Sequence, residues 1–231
     1  MVSHGDDERP VGRRVDPQPA QAPQPVTLVG LHGSVERLDA ARHRASLWDA
    51  VRGHDGIWTY MAYGPFADEA IFADWLVSRE ENNDPYYYAI VDPAGRAVGL
   101  AALMAIRPDM RVVEVGNILL APSLQRTALA TEAQFLLARY AFETLRYRRY
   151  EWKCDALNAA SRSAALRFGF TFEGIFRDHM IIKGRSRDTA WFAMLENEWP
   201  ARRTAFERWL QPENFDSDGR QRKKLEVSRY P

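Results

Sequence analysis

Glu114-Val115-Gly116-Asn117-Ile118-Leu119-Leu120-Ala121-Pro122-Ser123-Leu124-Gln125-Arg126-Thr127-Ala128-Leu129-Ala130-Thr131-Glu132-Ala133 is the stretch whose reading decides the fold. A β-branched, apolar run from Arg111 to Leu120 reads as a strand ended by Pro122. A short polar turn then opens a helix from about Gln125 to Leu145, with Leu129, Ala133, Leu136, Leu137, Tyr140, Ala141 and Leu145 at inward spacing. The first amides of such a helix lack intrahelical acceptors, so a strand-to-helix turn of this kind can hold a phosphate. Gln125, Arg126 and Thr127 add side-chain donors, and Ala128 and Ala130 let a pyrophosphate approach the backbone. An ordinary turn with a solvated Arg126 fits the same residues.

Upstream of this segment, Val26 to Leu31 reads as a strand, and the residues after Ser34 place Leu38, Ala41, Ala45, Trp48 and Val51 on one helical face. Asp68 is a suitable N-cap for a second helix carrying Ile71, Phe72, Trp75 and Leu76 inward. Tyr86 to Val91 and Ala97 to Ile106 form a predicted hairpin through Asp92-Pro93-Ala94-Gly95-Arg96. Downstream come a strand over Tyr150 to Cys154, a helix from Ser161 to Phe168 closed by Gly169, strand segments over 171–176, 180–182 and 189–195, and a last helix from Trp199 to Leu210. This order predicts an α/β (α+β) sheet with helices on its faces rather than a helical bundle.

The 231 residues, 46% of them apolar, suffice for a proper core, which excludes disorder of the whole chain. The 31 basic and 31 acidic residues balance, so no general basic field exists for nucleic acid or an anionic membrane, and neither is expected as a partner. A lone cysteine, Cys154, excludes an intramolecular disulfide and multi-cysteine metal sites, and no metal is expected. It reads as a core residue, since no histidine and orienting carboxylate lie near it in sequence to make it a nucleophile. The apolar runs are too short to span a membrane and Met1 to Glu8 lacks a signal-peptide core, so the expected location is cytoplasmic. Residues 1–25, with five of the 13 prolines, read as a flexible Pro/Gln-rich arm, 26–212 as one domain, and 213–231 as a charged, loosely held tail.

A second segment, Asn158-Ala159-Ala160-Ser161-Arg162-Ser163-Ala164-Ala165-Leu166-Arg167-Phe168-Gly169-Phe170, runs into Thr171-Phe172-Glu173-Gly174. With a Gln-Arg-Thr turn before the long helix and Asn-x-x-Ser before Gly-Phe-x-x-Glu-Gly, residues 26–198 resemble the GNAT superfamily of N-acetyltransferases and its RimJ/RimL-like branch. The resemblance implies a mixed, mostly antiparallel twisted sheet with helices on both faces and splayed central strands. It implies acetyl-CoA as cosubstrate, with its pyrophosphate cradled by Gln125, Arg126, Thr127, Ala128, Leu129 and Ala130. Where the family carries glycine this chain has Ala128, which fits if the helix has already begun there.

The resemblance also implies that Ile118, Leu119 and Leu120 pair their backbone with pantetheine, with Gly116 as the bulge that opens the strand and Asn158 on a pantetheine amide. An alkylamine must lose a proton before attack, and Glu114, among Val112, Val113 and Val115, is the candidate base; Asp178 or His179 is the runner-up. Two residue types found in relatives are missing: a tyrosine acid at Ala165 and a glutamate at Met180. Ser161 takes the acid role of the RimL-like branch, unless it is only the cap of its helix. The aromatic loop 56–66, with Trp58, Tyr63 and Phe66, reads as the acceptor wall. The expected activity is transfer of acetyl from acetyl-CoA to a primary amine, a peptide N-terminus or small amino compound, by a monomer or homodimer. The alternative is a catalytically weak acyl-CoA-binding or partner-binding protein, in view of Ala128, Ala165 and Met180.

Overall fold

The computed structural model describes residues 10–227. The reading of Met1 to Glu8 therefore lies outside the described residues. One eight-stranded sheet has the order β1-β2-β3-β4-β5-β6-β8-β7. Its strands are β1 (Thr27–Val29), β2 (Ser34–Arg37), β3 (Tyr86–Val91), β4 (Ala97–Arg107), β5 (Val112–Leu120), β6 (Arg149–Asp155), β7 (Thr171–Ile182) and β8 (Arg185–Leu195). Every neighbouring pair is antiparallel except β5 with β6. That single parallel pair is the consequence of the crossover that α3 makes between them.

Helices α1 (Ala40–Val51) and α2 (Glu69–Glu80) cover one face, where Leu47, Val51, Phe72 and Leu76 pack on Tyr87, Leu100 and Leu119. α3 (Ala128–Arg139), α4 (Ala159–Arg167) and α5 (Trp199–Trp209) serve the other, with Phe135, Leu136, Ala165 and Phe206 against Val113, Val115, Tyr150 and Phe192. The strands between these layers are buried on both faces; all six residues of β3 are buried, as a sandwiched strand requires.

Several elements depart from the sequence expectation. The segment after Ser34 is first a strand, β2, and only then a helix. α1 buries Ala40, His43, Leu47 and Val51, a face rotated by one residue from Ala41, Ala45 and Trp48, because the buried polar His43 takes an apolar residue's place. His43 Nδ1 accepts from the Asp39 amide. α2 matches its cap, with Asp68 accepting from the Ile71 amide, but Ile71 itself is exposed. The long helix is shorter and two-part: α3 opens at Ala128, and after Arg139 the chain makes a π turn over Tyr140–Thr144, where Leu145 N–H reaches the Tyr140 carbonyl.

The segments read as arm and tail are partly docked. The Ala20 amide donates to the Pro108 carbonyl and Gln21 to that of Leu145, while the Gln24 amide donates to the Tyr140 hydroxyl. Ala20 and, from the other end, Leu225 are buried in the α3 side of the core. Proline spacing in a chain that forms neither helix nor strand says nothing about whether its remaining amides find acceptors.

α3 is fixed to the sheet edge by Glu132, 2% exposed, whose two carboxylate oxygens accept from the backbone amides of Leu31 and His32 in the β1–β2 turn. Glu132→Ala should cost about 2–4 kcal/mol, since two amides lose a charged acceptor. Urea unfolding measures this, and a loss below about 0.5 kcal/mol would show that the turn finds other acceptors.

Candidate active site

β5 and β6 pair in parallel register over only four positions, Val112 with Arg149 through Val115 with Trp152. Beyond them the strands part. β6 continues against β8 as far as Asp155 opposite Thr189, and β5 continues against β4 as far as Leu120 opposite Gly99. The Gly116–Leu120 and Lys153–Asp155 backbones therefore face each other across a gap without a ladder.

The divergence has a local cause. Two residues of β5, Asn117 and Ile118, stand where β4 offers one, Ala101, between the pairs Ala102–Gly116 and Leu100–Leu119. Asn117 adopts φ 49°, and its side chain is held by the Tyr63 hydroxyl at 3.2 Å and directed at Met104 Sδ. The bulge thus falls on Asn117 rather than on Gly116, which remains paired with Ala102. Asparagine tolerates the left-handed region better than most residues. Gly116 is required for space, since a Cβ there would lie 2.5 Å from Met104 Sδ.

At the far end of β5 the chain turns through Ala121–Thr127. The left-handed residue is Arg126, φ 64°, and Ala128 is already the first residue of α3. Thr127 is the N-cap: its hydroxyl oxygen accepts from the Ala130 amide and its proton goes to the Leu124 carbonyl. Gln125 Nε2 donates back to the Leu120 carbonyl, and Arg126 is exposed. An open hollow of about 440 Å³ lies between Pro122 and Gln125 on this turn and Gly53–Ile57 after α1. Gly99 lies under the turn, where a Cβ would come 2.7 Å from the Leu119 carbonyl oxygen and from Leu124 Cδ2.

Glu114 lies on the α1/α2 face at the branch point, 6% exposed. Lys153 Nζ is 2.8 Å from its Oε2 and 2.9 Å from Glu151 Oε2, and stands 4.0 Å over the Trp191 ring. Glu151 also accepts from Arg149 and Arg107. Burial lifts the Glu114 carboxyl above the ordinary carboxylate value, with the Glu151 charge adding to it; Lys153 and Arg187 pull the other way. The runner-up base His179 sits on β7 beside a bulge at Asp178, with Nδ1 3.0 Å from the Thr189 hydroxyl.

Ser161 is on the opposite face. It does not cap its helix: Asn158 does, accepting from the Ser161 amide through Oδ1, and α4 starts two residues earlier than expected, at Ala159. Ser161 Oγ instead accepts at 3.0 Å from Nε1 of Trp152, the last residue of β6 that pairs with β5, and its hydroxyl also lies within hydrogen-bond reach of the Cys154 thiol. Cys154 is buried and its thiol is pushed up by burial, which agrees with a core role.

The aromatic loop is tied across the gap at three places. Besides Tyr63 to Asn117, the Tyr60 hydroxyl donates to the Leu157 carbonyl at 3.2 Å, and Lys183 at the β7–β8 tip donates to the Trp58 carbonyl at 2.9 Å. Trp58 is enclosed, 2% exposed, edge-on to Tyr63, Phe66 and Trp75. Its ring therefore supports the loop from within; Tyr63 and Phe66 are only half-buried. Sequence reasoning missed Lys153, Asn117 and Lys183, which carry no local motif.

Residues 36–171 match the acetyltransferase (GNAT) domain family. The chain belongs to the GNAT acetyltransferase family. A GCN5-related N-acetyltransferase from Brucella melitensis is 45% identical with a TM-score of 0.88, over 90% of this chain and 96% of that one. A Chromobacterium violaceum protein, assigned by name to the GNAT acetyltransferases, is 39% identical with a TM-score of 0.77, over 84% and 100%. YdaF of Bacillus subtilis (strain 168), named as a candidate ribosomal N-acetyltransferase, is 29% identical over 148 residues, 62% of this chain and 79% of YdaF. That relative supports the RimJ/RimL-like side of the family. GNAT acetyltransferases take their acetyl group from acetyl-CoA. Among the described residues no helix is long and apolar enough to cross a membrane, and no group of three metal-ligating side chains occurs.

Lys153→Met should leave Glu114 and Glu151 buried beside one another without their shared cation. An expected loss of about 3–5 kcal/mol at pH 7 follows from breaking a buried ion pair. Without Lys153, Glu114 would titrate higher still and Glu151 would lose part of what holds it low, so the deficit should shrink as pH falls toward 5 and they take up protons. A deficit independent of pH in urea unfolding would contradict this charge balance.

Proposed function

We propose that the protein is an acetyl-CoA-dependent N-acetyltransferase that acetylates a primary amine by direct attack. The observation that carries the reading is the gap between β5 and β6, flanked on one face by Glu114 and on the other by Ser161. Acetyl-CoA, when bound, supplies the acetyl group as a thioester. The residues present fit it. Ile118, Leu119 and Leu120 offer backbone along a gap where no strand pairs with them, and the amides at the N-terminus of α3 suit a pyrophosphate. Arg126, exposed and left-handed at that terminus, adds a local positive charge to a chain with none to spare overall.

Gln125, Thr127, Ala128, Leu129 and Ala130 complete the phosphate turn in this reading, and Asn158 holds a pantetheine amide. The Asn158 Oδ1 is already used as a cap, which leaves its amide group for that contact. An amide near Ile118 faces the thioester oxygen and stabilises the charge that develops there. Glu114 takes the proton from the incoming ammonium, directly or through water, and Ser161 donates to the departing sulfur. Tyr63 and Phe66 border the amine. YdaF's designation supports a protein or peptide acceptor.

Thiol release from acetyl-CoA over a panel of amines tests the activity. Acetyl-CoA binding in calorimetry without any thiol release would identify an acyl-CoA-binding protein instead. Because the Glu114 carboxyl sits above its ordinary value, kcat/KM should fall on the acid side through a limb displaced upward from the usual carboxylate range. Glu114→Gln should remove that limb and lower kcat by about 10²–10⁴. An unchanged limb would move the base to another group, His179 first. Ser161→Ala should lower kcat and leave the affinity for acetyl-CoA in place; full turnover would end its role as acid.

A further inference from the structure

Arg187 is the one arginine with a buried side-chain nitrogen that lacks a hydrogen-bond partner among the described residues: its Nε is enclosed, and the side chain forms neither hydrogen bond nor ion pair. A guanidinium half-withdrawn from water without an anion bonded to it is costly, and a bound anion would relieve that cost. Its place in the fold is informative. Along β8, Ala190, Phe192 and Met194 face the α3 side of the core, so Thr189, Trp191 and, by alternation, Arg187 face the side of Glu114 and Lys153. Arg187 stands just past the end of β6, whose last pair is Asp155 with Thr189, and opposite Met180 of β7. Its charge reaches Glu114, pulling that carboxyl down.

The surrounding carboxylates are already engaged. Glu114 and Glu151 share Lys153; Asp155 accepts from the Leu157 amide, Asp188 from that of Asp178, and Asp178 from the Ser186 hydroxyl. The same face of β8 holds a second buried donor without a partner, Trp191 Nε1. A face with a proton acceptor at one point and unmatched N–H donors at others suits a ligand that presents an ammonium and, apart from it, anionic oxygens.

We propose that Arg187 anchors a carboxylate carried by the acceptor amine, so that the preferred acceptor is an amino acid or a peptide with an acidic residue at its N-terminal end. The guanidinium fork matches a carboxylate in two parallel hydrogen bonds, which a neutral amide cannot equal. This inference rests on the transferase reading above for the identity of the acceptor side, and it adds the chemistry of the acceptor.

The test uses the full chain with peptides that begin with Glu or Asp, their Gln and Asn counterparts, and free amino acids against their α-carboxamides (glutamine against glutamine amide). Thiol release gives kcat/KM, and calorimetry in the presence of CoA gives affinity. The expected result is a preference of about tenfold or more for carboxylate over amide, which falls to near unity in Arg187→Gln and is partly kept in Arg187→Lys. Preference among peptides but not free amino acids, or the reverse, identifies which source of carboxylate is used. Equal use or equal binding of carboxylate and amide by the wild type overturns the anchor and leaves the transferase reading standing. A raised KM for acetyl-CoA in Arg187→Gln with the preference intact also overturns it, placing Arg187 on the donor. Tighter binding of the carboxylates without thiol release from any amine keeps the anchor and removes the transferase reading. Absence of any amine binding or turnover overturns both.

Discussion

The structure depends on one termination: parallel pairing between β5 and β6 that stops after Val115 and Trp152. In an ordinary sheet the backbone groups beyond that point would find partners, because leaving them unpaired inside a protein is costly. Here the strands are held apart by forces acting on each separately. On β5 the bulge at Asn117 redirects the chain, and β4 keeps its hydrogen bonds on the other side. On β6 the continued pairing with β8 and the Trp152–Ser161 bond draw the strand toward β8 and α4. A gap built this way is part of the native ladder's geometry.

The charge arrangement at the branch point follows from the same geometry. Parallel register puts Glu114 directly beside Glu151, two carboxylates on one face where burial and mutual repulsion both oppose ionisation. Lys153, two residues along the same face of β6, lies between them and stacks on Trp191. The cation offsets part of what the geometry costs, but burial still leaves Glu114 raised while Glu151, with Arg149 and Lys153 as donors, is held low. Two neighbouring carboxyls with opposite displacements suit different tasks, and in the proposed reaction the raised one, Glu114, is the one that exchanges a proton.

What could be read from sequence were the features whose cause is local. Asp92 to Arg96 has turn chemistry in five residues, Asp68 precedes its helix by one, and Gly169 closes α4 with φ 91°. The turn between β5 and α3 was legible because strand, turn and helix N-terminus are contiguous. β2 was not, since its four residues Ser34–Arg37 include two charges and lie against a helical spacing that begins at Leu38. The face of α1 was hidden by a buried histidine whose acceptor role appears only when the Asp39 amide is placed. Lys153 was invisible as the partner of Glu114 because 39 positions separate them. Asn158 and Ser161 could be assigned to one motif, but which of them caps the helix depends on where α4 starts.

The aromatic loop connects these parts. Its ties to Asn117 on β5, to Leu157 after β6 and to the β7–β8 tip at Lys183 span both lips of the gap. Two of the three donors are tyrosine hydroxyls, and the Tyr63 hydroxyl is pushed well above the ordinary phenol value by burial, which keeps it protonated and able to donate at neutral pH. Any change in the separation of β5 and β6 must therefore stretch at least one of these bonds. In the proposed reaction, an acceptor bordered by Tyr63 and Phe66 would bear on the bulge that sets the gap. The loop and the bulge on β5 are joined through Tyr63 and Asn117, and the enclosed Trp58 ring, edge-on to its three aromatic neighbours, stiffens the loop at that joint.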